Sequence, residues 1–216
     1  MGSTVAPRGG EREGYTGGMT SAARLPLLSY AEYLALERET DVRHEFLRGE
    51  AWAMAGGTPR HSKVKLNLLA LVDGRLGAGP CQAYDSDLKL RVDSTGLATY
   101  ADLAIVCGPI RRDAEDRNAV TNPSAVFEVL SPSTERWDRG AKFHHMQTVG
   151  SLRSYVLISP DEPRVEVFTR LEDGTWRLSS HGAGEVATVE LGEAEIRVEV
   201  DALYRNLPED DADQDG

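Results

Sequence analysis

The run SAVFEVL, residues 124–130, constrains the fold more than any other segment of the chain. It is short, it lies between two proline-containing loops, and its apolar positions are almost continuous. That pattern is typical of a strand in the middle of a sheet that is covered on both faces. One of its residues is the acid Glu128. Because a carboxylate is almost never fully buried unless it is paired or binds a cation, this position calls for a cationic partner.

Two further acids, Glu45 in HEF and Asp102 in ADLAIV, also lie in apolar segments that alternate like strands. Any one of these acids has an ordinary explanation, either exposure on a solvated strand face or a pair with an arginine. The set together favours a shared site, because neighbouring carboxylates repel each other unless a divalent ion binds between them.

The order of the predicted elements indicates an α+β, sandwich-like fold in which a mixed central sheet is flanked by helices. Ser29 and Glu32 form a capping box that opens a first helix, and RHEFLRGEAWAM alternates around a tight turn as a hairpin. A second helix covers HSKVKLNLLALVDGRL, and the segments CQAYDSDLKLRV, TYADLAIVC and SAVFEVL follow it as strands.

The segment after SAVFEVL, SPSTERWDRGAKFHHMQTV, predicts a helix of about four turns with Ser133 or Thr134 as its N-cap. SYVLISP and PRVEVFTR then form an antiparallel pair. Short strands and a final helical turn extend to Tyr204.

The length of 216 residues, of which 40% are hydrophobic, is enough for one domain with its own core. We expect this domain to cover residues 29–206, between a disordered N-terminal tail (1–28) and an acidic disordered C-terminal tail (207–216). No apolar stretch is long enough for a membrane helix, and the N-terminus lacks the core of a signal peptide. A cytoplasmic protein without membrane contact is therefore expected, with Met19 as a second candidate start.

The two cysteines, Cys81 and Cys107, do not support a disulfide framework or a four-ligand zinc site, so we predict that both are core thiols. The net charge of −11 argues against a general nucleic-acid coat, because affinity for phosphate backbones comes mainly from lysine and arginine. Any contact with nucleic acid must therefore be local or be helped by bound metal cations.

Several segments resemble, in their order and spacing, the Uma-two family of the PD-(D/E)XK nuclease superfamily. They are YLALE, HEFLRGEAWAMAGG, SDLKLRV, TYADLAIVCGP, NPSAVFEVLSPST, DRGAKF and SLRSYVLIS. The resemblance extends from about Ser29 to Tyr204, and FEVLSPST followed by DRGAKF is its most specific part. It implies a restriction-endonuclease-like domain and a Mg²⁺-dependent endonuclease acting on DNA, with Mn²⁺ as a possible substitute. A homodimer would supply two active sites for the two strands of a duplex.

The resemblance also assigns roles. Asp102 and Glu128 correspond to the metal-binding acids, and Glu45 is expected as a third ligand or water-orienting base. The superfamily lysine usually comes two residues after the second acid, where this chain has Leu130, and Lys142 in DRGAKF is the matching position instead. Asp138, Lys142 and His145 have the spacing of one helix face, so Asp138 could hold the lysine ammonium.

Two more residues are candidate substrate contacts. His61 opens the second helix and could bind substrate or transfer a proton, although a histidine at this place is more often structural. Lys89 ends Asp87-Leu88-Lys89, which spells the D-X-K motif literally but precedes Asp102, and it could line a phosphate-facing groove.

Two alternatives remain open at the level of sequence. A catalytically idle relative could use the same fold to bind protein or nucleic acid. A hydrolase could use two carboxylates as acid and base on a substrate without phosphate, and it would need neither Lys142 nor a metal.

Overall fold

The computed structural model describes residues 27–54 and 56–208. Almost all of the predicted tails, 1–28 and 207–216, lie outside this part of the chain, so the predicted domain limits stay predictions. The helical elements are α1 (Tyr30–Glu39), α2 (Pro59–Leu76), a π-helical turn (Trp137–Lys142) that continues into α3 (Phe143–Met146), and α4 (Val200–Leu203). The strands are β1 (His44–Leu47), β2 (Glu50–Ala53), β3 (Cys81–Asp85), β4 (Lys89–Val92), β5 (Leu97–Tyr100), β6 (Leu103–Cys107), β7 (Ala119–Val120), β8 (Ala125–Val129), β9 (Ser154–Ile158), β10 (Arg164–Arg170), β11 (Trp176–Gly182), β12 (Val186–Glu190) and β13 (Glu195–Glu199).

The strands form two larger sheets and one ribbon. The order is β11-β10-β9-β8-β6-β3 in a six-stranded sheet, β2-β1-β5-β4-β7 in a five-stranded sheet, and β12-β13 in the ribbon. Strand β8 pairs in parallel with β9 and antiparallel with β6, so the six-stranded sheet is mixed, as the sequence predicts. The α+β class is confirmed, and a second sheet is added to the single central sheet that was expected.

The second sheet arises because two predicted strands each divide between the sheets. CQAYDSDLKLRV becomes β3 and β4, and TYADLAIVC becomes β5 and β6. Strand β3 pairs with β6 in one sheet, whereas β4 pairs with β5 in the other. Asp102 therefore lies in the bend between β5 and β6, and its predicted place within a strand is wrong.

Strand β8 explains how an acid enters the core. All five of its residues are buried, and successive side chains point to opposite faces of the sheet. Phe127 and Val129 pack in the cluster that includes α2, whereas Val126 and the following Leu130 pack in the cluster that includes α3. Glu128 alternates with Val126 and Leu130, so its carboxylate points to the face covered by the π-helical turn.

The predicted turns and caps around the site are partly confirmed. In α1, Ser29 Oγ accepts from the N–H of Glu32 at 3.2 Å, and Glu32 Oε2 accepts from the N–H of Ser29 at 2.7 Å. The hairpin turns through Arg48 and Gly49, with φ of 50° and 91°, the left-handed pair that a two-residue turn requires.

The helix after β8 differs from its prediction. Ser131 opens a turn ahead of it: Ser131 Oγ accepts from the N–H of Thr134 at 3.2 Å, and the Ser131 carbonyl accepts from the N–H of Glu135 at 2.9 Å. The helical winding begins at Glu135, so Thr134, one of the two predicted caps, stands directly before it and its carbonyl accepts from the N–H of Asp138 at 2.9 Å, whereas Ser133 lies within the turn. The helix also widens into a π-helical turn before α3, a feature that often marks a functional site.

The cysteines are not thiols, which corrects the sequence prediction. Cys81 and Cys107 lie directly opposite each other on β3 and β6 and form a disulfide that closes a sequence separation of 26 residues. Composition alone could not reveal this pair, because the register of the two strands creates it. Within residues 27–54 and 56–208, no helix is both long and apolar enough to cross a membrane.

Candidate active site

One pocket of about 220 Å³ brings most of the predicted site residues together. Its lining includes Glu45 from β1, Asp102 from the β5–β6 bend, Glu128 from β8 and Lys142 from the π-helical turn. His61, from the first turn of α2, also lines it. The pocket therefore lies where the two larger sheets, the hairpin and two helical elements meet.

Lys142 is the centre of the charged cluster. Its side chain is 4% exposed, and its ammonium lies 2.9 Å from Glu128 Oε1, 3.2 Å from Glu45 Oε1 and 3.4 Å from Asp138 Oδ1. It also donates to the backbone carbonyl of Tyr100 at 2.8 Å. Burial would lower the pKa of Lys142, but the surrounding carboxylates outweigh burial and raise it well above its usual value. Lys142 is therefore held as a cation.

The helix spacing that predicts this cluster holds in part. Asp138 contacts Lys142 four residues along the π-helical turn, as expected. His145, in contrast, lies beside the ring of Trp137, with centroids 6.5 Å apart, and takes no part in the ion pairs of Lys142. The wider π-helical winding changes the direction of the later side chain.

Glu45 has both carboxylate oxygens engaged. Oε1 accepts a short hydrogen bond from Thr99 Oγ1 and contacts Lys142 at 3.2 Å, while Oε2 accepts from Trp52 Nε1 at 3.0 Å. The hairpin register places Trp52 directly opposite Glu45. The structure thus uses Glu45 to hold Lys142, and the expected role as a third metal ligand or water-orienting base stays a prediction.

Glu128 is 4% exposed at the floor of the pocket. Burial raises the pKa of Glu128, and the charge of the Lys142 ammonium opposes that rise and favours the ionised carboxylate. Its Oε1 atom lies 2.9 Å from the Lys142 ammonium yet has no well-aligned hydrogen-bond donor among the described residues. The contact is an ion pair, and the carboxylate keeps lone pairs with which it could bind a second cation.

Asp102 is held from three sides. Its Oδ2 atom accepts from the N–H of Val129 at 2.8 Å and lies 3.5 Å from His61 Nε2, while its Oδ1 atom lies 3.5 Å from Lys65 Nζ. Burial would raise the pKa of Asp102, but His61, the Val129 N–H and Lys65 outweigh it and lower the pKa. Asp102 therefore remains ionised beside Glu128.

His61 links α2 to β8. Its Nε2 atom lies 2.8 Å from the carbonyl oxygen of Val129, so this nitrogen must carry hydrogen and donate. The hydrogen bond with Asp102 raises the pKa of His61, while burial opposes that shift. The ring lines the pocket, and its predicted part in substrate binding stays a prediction.

Lys65 and Trp137 are site residues that the sequence reasoning missed. Lys65 follows His61 by four residues on α2, and that spacing places both side chains on one helix face beside Asp102. Trp137 opens the π-helical turn and lines the pocket together with Trp52. The i, i+4 spacing from His61 could have identified Lys65 as a site residue. For Trp137, the sequence offered only its position five residues before Lys142.

Lys89 lies elsewhere, and its predicted place in a phosphate-facing groove is wrong. Its side chain is 9% exposed, and the ammonium lies 3.0 Å from Asp116 Oδ2 and 3.6 Å from Glu37 Oε2. It also lies 5.0 Å from the ring centroid of Tyr33, in cation–π contact. The lysine thus neutralises buried acids within the protein. The literal D-X-K sequence, residues 87–89, is therefore not part of the candidate site.

The charges of the site suit a divalent cation. Four carboxylates, Glu45, Asp102, Glu128 and Asp138, are balanced by two lysines, Lys65 and Lys142. The described residues contain no group of three or more histidine, cysteine, aspartate or glutamate side chains arranged to hold a metal ion. Asp102 and Glu128 both line the pocket and are the two carboxylates that could hold a cation between them. Two carboxylates, with water and substrate phosphate completing the shell, fit Mg²⁺.

Known proteins share this sequence and fold. The Uma2 family model, described as "Putative restriction endonuclease", matches residues 30–201. A Synechocystis protein titled "Uncharacterized protein slr1290" is 34% identical over 186 residues, covering 86% of this chain and 96% of the relative. A second Synechocystis protein, "Uncharacterized protein sll1609", is 31% identical over 173 residues, covering 80% of this chain and 97% of the relative.

A solved structure supports the same fold. The crystal structure of a protein from Anabaena variabilis, titled a putative nuclease belonging to DUF820, superposes with a TM-score of 0.61 at 17% identity. The match covers 76% of this chain and 91% of that one. Because the family model spans most of the folded region and the relatives align over nearly their whole length, the chain belongs to the Uma2 family of putative restriction endonucleases.

Proposed function

We propose that this protein is a Mg²⁺-dependent endonuclease that hydrolyses phosphodiester bonds in DNA, with Mn²⁺ able to replace Mg²⁺. The observation that carries the proposal is the buried Lys142 ammonium, 2.9 Å from Glu128 in the pocket that Asp102 also lines. Membership of the family supports a nuclease-like function, and the acids and lysine of the family pattern converge in this one pocket.

Asp102 and Glu128 are the residues that would hold the metal. When bound, a divalent cation supplies charge stabilisation for a phosphoryl group and lowers the pKa of water. Its binding would also relieve the mutual repulsion of two acids that share a mostly buried pocket. Val129 connects the pair, because it follows Glu128 in β8 and its N–H donates to Asp102 at 2.8 Å.

Lys142 would stabilise negative charge on the reacting phosphate. An ammonium that is already positioned in a site with little water needs no reorganisation when that charge develops. Glu45 and the carbonyl of Tyr100 keep it in place, at 3.2 Å and 2.8 Å respectively. These contacts also prevent the long side chain from leaving the pocket.

His61 and Lys65 have supporting roles in this proposal. His61 donates to the carbonyl of Val129 and so fixes the C-terminal end of β8 beside Asp102. Lys65 has a side chain that is 29% exposed, and it can move from Asp102 to a phosphate oxygen of the substrate. One protomer supplies every residue named here, so the expected homodimer, which ultracentrifugation would detect, is not required for the chemistry.

Nicking of supercoiled plasmid DNA tests the proposed activity. Wild-type protein should cut with Mg²⁺ or Mn²⁺ and be inactive with a chelator, and Glu128→Gln and Lys142→Met should each abolish cutting. Asp87→Asn is the matched control, because Asp87 is the acid of the literal D-X-K sequence, is 69% exposed and pairs with Arg43 at the surface. Cutting that survives both site variants, or that Asp87→Asn abolishes, would refute the assignment.

Calorimetric titration with Mg²⁺ separates metal binding from catalysis. Wild-type protein should bind the cation, and Asp102→Asn should weaken binding by removing one of two carboxylate ligands. Binding without any cleavage would favour an idle, nucleic-acid-binding relative. Undiminished binding in Asp102→Asn would refute the metal site.

A further inference from the structure

The wall of the pocket facing its charged floor is aromatic. Trp52 from β2 and Trp137 from the π-helical turn both line the pocket, and their rings meet edge to face with centroids 5.2 Å apart at 89°. Both side chains are half-buried, and Met54 extends the same apolar wall. The indole Nε1 of Trp137 has no hydrogen-bond partner among the described residues, although a buried indole N–H usually has one. Phosphate chemistry alone does not account for such a wall.

The charged floor is too deep for an intact duplex. Glu128 and the side chain of Lys142 are each 4% exposed, so a phosphate must enter the pocket to reach them. The pocket has a volume of about 220 Å³. It has no room for a base pair, and one nucleotide would enter it in part, with its phosphate toward Lys142. In a duplex each base is paired and stacked, and an enzyme must extrude a nucleotide before a narrow pocket can receive it.

The charges of the pocket also disfavour a duplex. Affinity for a duplex comes mainly from lysine and arginine residues that displace counterions from phosphates. Of the described residues that line this pocket, Lys142 alone is a lysine or arginine, and it is already paired with carboxylates. The whole chain has a net charge of −11. Base stacking adds affinity that does not come from lysine or arginine, and every base offers a face for it.

We propose that the pocket binds one nucleotide of an unpaired DNA strand, with its base stacked on Trp137 and its phosphate directed to the charged floor. The proposal rests on the proposed nuclease function and specifies its substrate class: single strands, or unpaired segments within a duplex such as those that negative supercoiling opens in a plasmid. Trp137 is a substrate-binding residue in this arrangement, and it sits on the same helical turn as Lys142. The turn thereby couples recognition of the base to placement of the phosphate.

Binding to short fluorescent oligonucleotides tests the proposal, with Ca²⁺ in place of Mg²⁺ so that the strand is not cleaved. Wild-type protein should bind the single strand at least tenfold more tightly than a duplex of the same sequence. Trp137→Leu should raise the Kd for the single strand about 5- to 150-fold, the effect of losing one stacked base. Trp176→Leu is the matched control, because Trp176 packs against Phe143 and Arg170 away from the pocket and should leave the Kd unchanged.

A second readout does not depend on a change in the pocket. The chain has three tryptophans, so Trp176→Phe leaves Trp52 and Trp137 as its only indoles, both in the pocket lining. A single strand should quench their fluorescence through stacking, and a duplex should not. Equal affinity for duplex and single strand, no quenching, or equal effects of the two leucine variants would overturn the inference. These results are independent of cleavage. If the Trp137→Leu variant cuts duplex DNA at the full rate, only the substrate class is refuted. If the protein binds the single strand but does not cut it, only the proposed catalysis is refuted.

Discussion

Replacement of Lys142 by methionine should be one of the most destabilising single changes in the protein. The substitution keeps most of the apolar stem but removes the ammonium from a cluster in which three carboxylates lie within 3.4 Å of it. Loss of one partner from a buried ion pair typically costs about 3–5 kcal/mol, because the remaining charge is left buried without compensation. For a domain of this size, that loss corresponds to a fall in Tm of about 6–20 °C.

Thermal and urea unfolding of the variants in chelator would measure this effect without any substrate. Lys63→Met is the matched control, because Lys63 lies on α2 and forms no ion pair within the described part of the chain. The double variant Lys142→Met/Glu128→Gln should recover part of the lost stability, since it also removes one buried charge. It should not recover cleavage, because both proposed catalytic groups are absent.

The reasoning would be refuted if Lys142→Met were as stable as Lys63→Met. It would also fail if the double variant were less stable than Lys142→Met alone. Either result would mean that the ammonium does not neutralise the acids around it, and that the pocket floor is assembled differently from the ion pairs described above.

Three further predictions concern the surroundings of the site. Burial would raise the pKa of Glu37, but hydrogen bonds from Tyr100 and His44 outweigh burial and lower it. The stability that Glu37 contributes should therefore be present above pH ~4.5 and be lost as the pH falls through the pKa of Glu37 in the folded protein. The stability difference between wild type and Glu37→Gln, measured by urea unfolding across acidic pH, should shrink accordingly, and a constant difference would contradict this. Gly57→Ala should impair cleavage, because the added Cβ would lie 2.5 Å from the ring of His61. Gly56→Ala is the control: its Cβ would meet nothing within 4 Å, so the variant should behave as wild type. Equal cleavage rates for the two variants in the nicking assay would refute the importance of this contact. Reduction of the disulfide should lower the free energy of unfolding by about 3.5 kcal/mol for a closed loop of 26 residues, and an unchanged Tm in reductant would show that the bond is absent or without effect.

The sequence identifies Glu128 and Lys142 because their signals are local. An acid within an almost continuous apolar run stands out wherever the strand is placed. The helix that follows must turn back onto the sheet, so a lysine on its inner face is a natural partner. The ion pair of 2.9 Å confirms this contact across fourteen positions of the chain.

The environment of Asp102 could not be predicted, because it depends on pairing between distant segments. TYADLAIVC keeps an unbroken apolar pattern, yet β5 and β6 belong to different sheets. Lys89 was misassigned for the same reason. Its partner Asp116 comes from a loop that the parallel pairing of β4 with β7 brings alongside it. Alternation along one strand contains no information about such neighbours.

The role of Glu45 was within reach of the sequence. A two-residue turn at Arg48 and Gly49 fixes the register of the hairpin, and that register pairs Glu45 with Trp52. An indole N–H opposite a buried carboxylate is a strong indication of a hydrogen bond. The second partner, Thr99, could not be foreseen because it belongs to β5, which joins β1 only through long-range pairing.

The most direct test of the metal-dependent site is anomalous diffraction from crystals of the protein soaked with Mn²⁺. The expected result is an anomalous peak in contact with the carboxylates of Asp102 and Glu128, with Lys142 still paired to Glu45. A peak at other residues, or none at these two carboxylates at full Mn²⁺ saturation, would contradict the proposal that the pocket is a metal-dependent catalytic site.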